Sequence, residues 1–135
     1  MKYTKLGNSE LTVSRICMGC MGFGDPNNGQ HTWTVDEEHT REIVKGGLDL
    51  GINFFDTAMG YQNGTSEEYL GRALKDFADR NQVVVATKFV PRTNQEIEEG
   101  VTGQEHIERM IDQSLTRLGL DYVDLYIYHM WDYQT

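Results

Sequence analysis

Three stretches of the chain carry apolar residues at helical spacing, and each is preceded by a threonine with a glutamate three positions later. This pattern is typical of a capping box, in which the hydroxyl and the carboxylate bond the first free N–H groups of a helix. The apolar spacing predicts three helices, the first closed by Gly51 and the third by Gly119. The three pairs are Thr34-x-x-Glu37, Thr65-x-x-Glu68 and Thr102-x-x-Glu105.

Short apolar runs without helical spacing lie before, between and after these helices and predict strands. They are Ile16–Cys20, Asn53–Asp56, Val83–Lys88 and Val123–His129. Strands that alternate with helices pair in parallel through right-handed crossovers. Before the first run, Tyr3–Leu6 and Leu11–Val13 flank Gly7-Asn8-Ser9, a pattern that predicts a small hairpin.

A parallel α/β chain forms either an open dinucleotide-binding sheet or a barrel. The open sheet requires Gly-x-Gly-x-x-Gly directly after its first strand. This chain has Gly19, Gly22 and Gly24 in a different order, followed by a long polar loop. The sequence therefore favours an α/β fold of the (β/α)8 TIM-barrel type, with the N-terminal hairpin and the first four barrel strands present.

Three ionisable residues occupy the carboxyl ends of predicted strands: Asp56, Lys88 and His129. In a parallel barrel these ends converge on the face where active sites are built. Tyr61 lies five residues beyond Asp56 in a loop on the same face. We therefore expect the four side chains to meet.

The four residue types suit the delivery of a proton to an oxygen atom. A free phenol has a pKa near 10 and is a poor acid at neutral pH, but a nearby ammonium stabilises the phenolate. Lys88 would supply that ammonium to Tyr61, Asp56 would hold the lysine charged and aimed, and His129 would bind a carbonyl oxygen or feed the phenol its proton. The set has no activated acyl-transfer nucleophile and no glycosidase carboxylate pair.

Several longer motifs agree with this interpretation and together resemble the aldo-keto reductase family. The likeness runs from Tyr3 to the end of the chain, and Trp131-Asp132-Tyr133 is similar to the branch that includes bacterial and potassium-channel-beta-subunit-like members. The matching segments are Gly51-Ile52-Asn53-Phe54-Phe55-Asp56-Thr57-Ala58 with Tyr61 and Ser66-Glu67, then Val85-Ala86-Thr87-Lys88, then Arg117-Leu118-Gly119-Leu120-Asp121-Tyr122-Val123-Asp124-Leu125 leading to His129.

The resemblance implies reduction of an aldehyde or ketone by hydride from NADPH. It implies Tyr61 as the proton donor, Lys88 as its activating cation, Asp56 as the partner of that lysine, and His129 as the group that orients the carbonyl. It also implies substrate contacts at His129 and Trp131, and cofactor contacts at Cys20, Met21 and Asp56. The segment from Val13 to Met21 departs from the commoner family pattern, which has glycine at Cys17, threonine at Cys20 and tryptophan at Met21.

A complete barrel of this type needs about 250 residues or more, and this chain has 135. We expect residues 1–135 to be the N-terminal half of an NADP(H)-dependent barrel domain, completed by the same polypeptide or a second chain. One alternative is a truncated, non-enzymatic half-barrel that acts as a dimerising or interaction module. Another is a thiol-disulfide protein acting through Cys17 and Cys20, although two buried, reduced cysteines are the simpler expectation.

Charge and composition exclude several classes of function. The net charge of −9 leaves no basic surface for nucleic acid. No apolar run is long enough to cross a membrane, and the N-terminus lacks the apolar core of a signal peptide. No further cysteine pair or His-x-His group completes a metal site. We therefore expect a cytoplasmic protein with a small-molecule carbonyl substrate and no metal.

Overall fold

The computed structural model describes all residues from Met1 to Thr135. An antiparallel hairpin of β1 and β2 opens the chain and is followed by strands and helices in alternation. The elements are β1 (Tyr3–Lys5), β2 (Thr12–Ser14), β3 (Met18–Gly19), α1 (Glu37–Asp49), β4 (Phe54–Asp56), α2 (Thr65–Phe77), β5 (Val84–Phe89), α3 (Asn94–Glu98), α4 (Gly103–Leu118) and β6 (Leu125–Tyr128). Two 3-10 turns, Tyr61–Gly64 and Arg80–Gln82, complete the set.

The four later strands form one parallel sheet in the order β3-β4-β5-β6, as the alternation predicts. The hairpin is tied to the start of β4 by Asn53, whose side chain accepts from the Ser14 amide at 2.6 Å and donates to the Thr12 carbonyl at 3.0 Å. The predicted hairpin and the predicted parallel pairing are both confirmed. This is the arrangement of the first half of a (β/α)8 barrel.

The hydrophobic core lies between the sheet and its covering helices. Phe55 on β4 and Val85 on β5 are fully buried and face this layer, together with Leu70 on α2 and Leu118 on α4. Burying an aliphatic or aromatic side chain of this size contributes about 1.5–3 kcal/mol. The core therefore fixes the strands from one side.

The capping box predicted at Thr34 is wrong. The Val35 amide donates to the Gly22 carbonyl, and the Val35 carbonyl accepts from the Gly24 amide. Val35 is therefore extended and forms a β-bridge with Phe23. An extended residue cannot begin a helix. Asp36 therefore caps α1, its side chain accepting from the His39 amide at 3.0 Å.

The capping box predicted at Thr65 is also wrong. The N-cap of α2 is Gly64 in the left-handed conformation, and no side chain caps it. The Thr65 hydroxyl donates instead to the Gln62 carbonyl at 2.7 Å and accepts from the Asp25 amide at 2.9 Å. It thus holds the preceding turn rather than the helix.

The third capping box is confirmed, because Thr102 and Glu105 satisfy each other's backbone amides and Gly119 ends α4 at a φ of 65°. The sequence pattern missed a fourth. Thr93 and Glu96 form a capping box on the short helix α3. No helix combines the length and the apolarity that a membrane span requires.

Candidate active site at the carboxyl ends of the strands

Strand register brings Asp56 and Lys88 onto one face of the sheet. Asp56 lies opposite Ala86 in the β4–β5 pairing, and Lys88 follows two residues later on β5. Residues two apart on a strand share a face, so both side chains leave the sheet on the side away from the helical layer. The Lys88 Nζ atom lies 2.9 Å from Asp56 Oδ1, as expected from the sequence.

Lys88 is only 8% exposed, and three oxygen atoms lie around its ammonium group. It donates to the Thr57 carbonyl at 2.8 Å and to the Tyr61 hydroxyl at 3.2 Å. The contact to Asp56 Oδ1 is an ion pair outside hydrogen-bond geometry, and that oxygen is buried without a hydrogen-bond partner. A buried ammonium needs such neighbours, because desolvation is costly unless a charge is paired and bonded.

Tyr61 opens the 3-10 turn Tyr61–Gly64, and its amide donates to the Ala58 carbonyl at 3.2 Å. The next two residues, Gln62 and Asn63, adopt left-handed backbone angles with φ of 48° and 51°. Each costs about 1–2 kcal/mol for a residue with a side chain. Surrounding contacts must offset that cost. The turn places the Tyr61 ring next to Lys88, whose ammonium lies 4.9 Å from the ring centroid.

His129 completes the group from the end of β6. Its amide donates to the Phe89 carbonyl at 2.9 Å, which continues the β5–β6 pairing by one residue. Its ring meets the Tyr61 ring edge to face, with centroids 5.7 Å apart and planes at 81°. Burial, reinforced by the positive charge of Lys88, holds the pKa of His129 below its usual value, so the imidazole is neutral at neutral pH.

A cavity of about 310 Å³ opens beside Tyr61 and His129. Its lining joins the turn after β4, the loops after β5 and β6, and the long loop between β3 and α1. The lining residues are Met21, Gln30, His31, Gly60, Tyr61, Gln62, Val90, His129 and Met130. A larger depression of about 570 Å³ lies around Tyr3, Asn53 and Val83 at the opposite ends of the strands, and none of the four predicted catalytic residues lines it.

The other residues predicted for cofactor or substrate differ in position. Met21 is exposed and lines the cavity. Cys20 is fully buried in the core and does not line it, although its amide donates to the Asp56 carbonyl at 2.9 Å. Trp131 is 70% exposed, lies outside the cavity lining, and packs edge to face against Tyr128 and Tyr133. The contacts predicted for Cys20 and Trp131 stay predictions.

The two cysteines are free, but only Cys20 is buried, so the expectation that both would be buried is wrong for Cys17. Cys17 precedes β3, and its side chain is exposed. Although Cys17 reaches solvent, the protein atoms on one side of its thiol partly desolvate it and, with the carboxylate of Asp56, raise the pKa of Cys17 to about 11; burial raises the pKa of Cys20 still more. Thiols held in the protonated form are poor nucleophiles, which disfavours thiol-disulfide chemistry.

A buried ion pair next to the turn Tyr61–Gly64 could not be predicted from the sequence. Glu67 is fully buried and accepts from Arg117 Nε and from the Thr87 hydroxyl, both at 2.6 Å. It thereby joins α2, β5 and α4 directly beneath the tyrosine turn, where the Arg117 side chain packs on Gly64. Glu67 and Arg117 stand within the family-like motifs, but their pairing across fifty positions leaves no local signal.

Comparison with known proteins agrees with this geometry. The sequence model of the Aldo/keto reductase family matches residues 15–135. Aldo-keto reductase YhdN of Bacillus subtilis is 35% identical over 134 residues, which cover 98% of this chain and 39% of that protein. A Schizosaccharomyces pombe protein named for a voltage-gated potassium channel subunit beta is 40% identical over 131 residues, covering 94% of this chain and 36% of that protein.

Solved structures give the same assignment. The thermostable aldo-keto reductase Tm1743, solved with the inhibitor epalrestat, has a TM-score of 0.78 at 28% identity over 98% of this chain and 44% of its own. An aldo-keto reductase of Klebsiella pneumoniae in complex with NADPH has a TM-score of 0.68 at 27% identity over 90% of this chain and 37% of its own. The chain spans less than half the length of these relatives. It belongs to the aldo/keto reductase family, in the branch with bacterial and channel-subunit-like members, and has the fold of the first half of that family's (β/α)8 barrel.

Proposed function

We propose that this chain supplies the catalytic half of an NADPH-dependent carbonyl reductase in which Tyr61 donates a proton to the oxygen of an aldehyde or ketone. One observation carries the proposal: a buried lysine ammonium lies 3.2 Å from a tyrosine hydroxyl and 2.9 Å from a carboxylate, beside a cavity. This combination suits a phenol that gives up its proton during a reaction.

Lys88 has the central electrostatic role. As the proton leaves Tyr61 for the substrate oxygen, negative charge develops on the phenolic oxygen. The ammonium at 3.2 Å stabilises that charge, and it is effective because its site is largely closed to water. Asp56 at 2.9 Å and the Thr57 carbonyl at 2.8 Å hold the ammonium in place beside the Tyr61 hydroxyl.

His129 orients the substrate. Its neutral ring carries one N–H group, which donates to a carbonyl oxygen placed between the imidazole and the Tyr61 hydroxyl. The edge-to-face packing of the two rings holds both groups at the same end of the cavity. A carbonyl oxygen bound there lies next to the proton that it must receive.

The residues present suit a nicotinamide cofactor on the inner side of the sheet. The Asp56 side chain is 32% exposed, and its carboxylate would accept a hydrogen bond from a ribose hydroxyl while its Oδ1 atom stays paired with Lys88. Met21 lines the cavity, and the related Klebsiella pneumoniae enzyme binds NADPH. A nicotinamide bound there would supply the hydride for the carbonyl carbon, while Tyr61 supplies the proton for the oxygen, so the product would be an alcohol.

We further propose that the remaining half of the barrel, in the same polypeptide or in a second chain, completes the site. β3 and β6 are the edge strands of the sheet, and all four residues of β6 are only half buried. Unpaired edges and a half-covered face favour pairing with further strands. We call this chain together with that half the assembled protein. We also propose that it is cytoplasmic, because thiols such as Cys17 and Cys20 stay free in that compartment.

The direct experiment is to isolate the protein from its source, measure its intact mass, and assay it with NADPH and a panel of aromatic and aliphatic aldehydes. We expect a species that contains a second half-barrel and that oxidises NADPH only when an aldehyde is present. A lone 135-residue chain without turnover would contradict the proposal and favour a non-enzymatic half-barrel module.

A further inference from the structure

We propose that Gln62 is a positioning residue that fixes the segment Gly24–His31 as one wall of the cavity beside Tyr61. The catalytic meaning of this inference rests on the proposed reductase function, but the clamp itself is a property of the fold. Gln62 follows Tyr61 directly, is 2% exposed, and has a left-handed backbone. It is therefore a long polar side chain buried at a strained position next to the proposed proton donor.

The Gln62 amide directs three of its four possible hydrogen bonds at two residues of that segment. Nε2 donates to the Asp25 carbonyl at 2.7 Å and to the His31 carbonyl at 2.8 Å. Oε1 accepts from the His31 amide at 2.9 Å. One side chain thus satisfies backbone groups at both ends of the loop and closes it like a short cross-link.

The loop backbone is shaped to receive this side chain. A Cβ atom added to Gly24 would lie 2.5 Å from the Gln62 Cβ, and one added to Gly29 would lie 2.7 Å from the Gln62 Cα. Both glycines have φ values, 135° and 147°, that residues with side chains rarely adopt. Thr65 reinforces the contact, since its hydroxyl bridges the Gln62 carbonyl and the Asp25 amide.

The clamp matters for the cavity because Gln30 and His31 line it opposite the catalytic side. His31 is held by both of its backbone groups to Gln62, and its ring packs on Trp33 with centroids 4.7 Å apart. Lys88 and Asp56 are held instead by β4 and β5. Tyr61 is held by its amide bond to the Ala58 carbonyl and by the contact of its hydroxyl with Lys88. Loss of the clamp should therefore loosen the substrate wall and leave the proton-delivery groups in place.

The test compares Gln62→Gly with Asn63→Gly. Both substitutions relieve a left-handed backbone, which offsets part of the hydrogen bonding that is lost, so we expect both variants to fold. Only Gln62→Gly removes the clamp, whereas Asn63→Gly removes one exposed contact to Asn28. In hydrogen–deuterium exchange of the assembled protein, we expect residues 24–31 to exchange at least about ten-fold faster in Gln62→Gly, the factor that corresponds to losing about one hydrogen bond. The Asn63→Gly variant should behave like the wild type.

Kinetics supply the readout that a purely structural residue would not change. In Gln62→Gly we expect the KM for the carbonyl substrate to rise about ten-fold or more while kcat stays within about three-fold. Unchanged exchange of residues 24–31, equal effects of both variants, or a fall in kcat with KM unchanged would overturn the inference. Faster exchange in a protein without any reductase activity would leave the clamp standing and reject the proposed function instead.

Discussion

The Nζ atom of Lys88 lies 3.2 Å from the hydroxyl of Tyr61, although the two residues belong to different βα units. The lysine comes from within β5 and the tyrosine from the turn that follows β4. Only the parallel pairing of these strands, with Asp56 opposite Ala86, brings the two together. The contact is therefore a consequence of topology, and disturbing either strand end should disturb the chemistry.

Replacing Lys88 with methionine removes the ammonium while keeping a side chain of similar length. Because the positive charge stabilises the phenolate that forms at Tyr61, we expect kcat/KM for aldehyde reduction to fall about 10²–10⁴-fold. Stopped-flow measurement of the first turnover in the assembled protein tests this directly. Asp56→Asn should lower kcat/KM less than Lys88→Met, because the ammonium remains. A Lys88→Met variant with unaltered turnover would rule out the electrostatic role.

The pKa of His129 lies below its usual value, chiefly because of burial and then because of Lys88. Below about pH 6.5 the unfolded chain thus binds a proton at this residue more readily than the folded protein does. The contribution of His129 to stability is therefore complete above the pKa of the unfolded chain, and it is lost as the pH falls through the pKa of the folded protein. We expect the free energy of unfolding to fall with acidification, and less steeply in His129→Asn, in urea titrations at several pH values.

His39 gives the opposite sign and serves as the control for that experiment. The hydrogen bond to Asp36 raises the pKa of His39, so its contribution is present below about pH 6.5 and is lost as the pH rises through the folded value. His39→Gln should therefore destabilise the protein mainly at acid pH. Parallel profiles for the wild type and both variants would show that neither histidine is linked to folding.

Gly71 marks a close approach of α2 to the end of α4. A Cβ atom there would lie 2.1 Å from the Leu118 carbonyl oxygen, a backbone atom with no freedom to move aside. We expect Gly71→Ala to lower the free energy of unfolding by about 1–3 kcal/mol. Gly46 in α1 has no atom within 4 Å of the corresponding position, so Gly46→Ala should raise it by about 0.5–1 kcal/mol. Denaturant unfolding of both variants measures these two changes. Equal changes in the free energy of unfolding would contradict the close approach of α2 to α4 at Gly71.

The strands and the four residues at their ends could be predicted because they depend on local pattern and on topology. Residues that end parallel strands must meet at one edge, so the sequence alone predicts that Asp56, Lys88 and His129 converge. Tyr61 was placed with them because it follows Asp56 by only five residues. In each case the sequence information lies within a few positions of the residue.

The features that were missed depend on long-range contacts. Thr34 and Thr65 match the capping pattern, but the bridge between Phe23 and Val35 keeps the chain extended after Thr34, and the Asp25 amide donates to the Thr65 hydroxyl. Gln62 gave no signal, since a glutamine before Asn-Gly looks like an ordinary turn residue and its partners lie more than thirty positions away. Local sequence cannot reveal which of two competing hydrogen-bond partners a side chain will take.

The central claim is that Tyr61 delivers the proton, and Tyr61→Phe tests it most directly. The substitution removes one oxygen atom and keeps the ring that packs against His129. In the assembled protein we expect NADPH binding, followed by fluorescence titration, to keep its affinity while single-turnover aldehyde reduction becomes undetectable. Near-normal reduction by this variant would contradict the account.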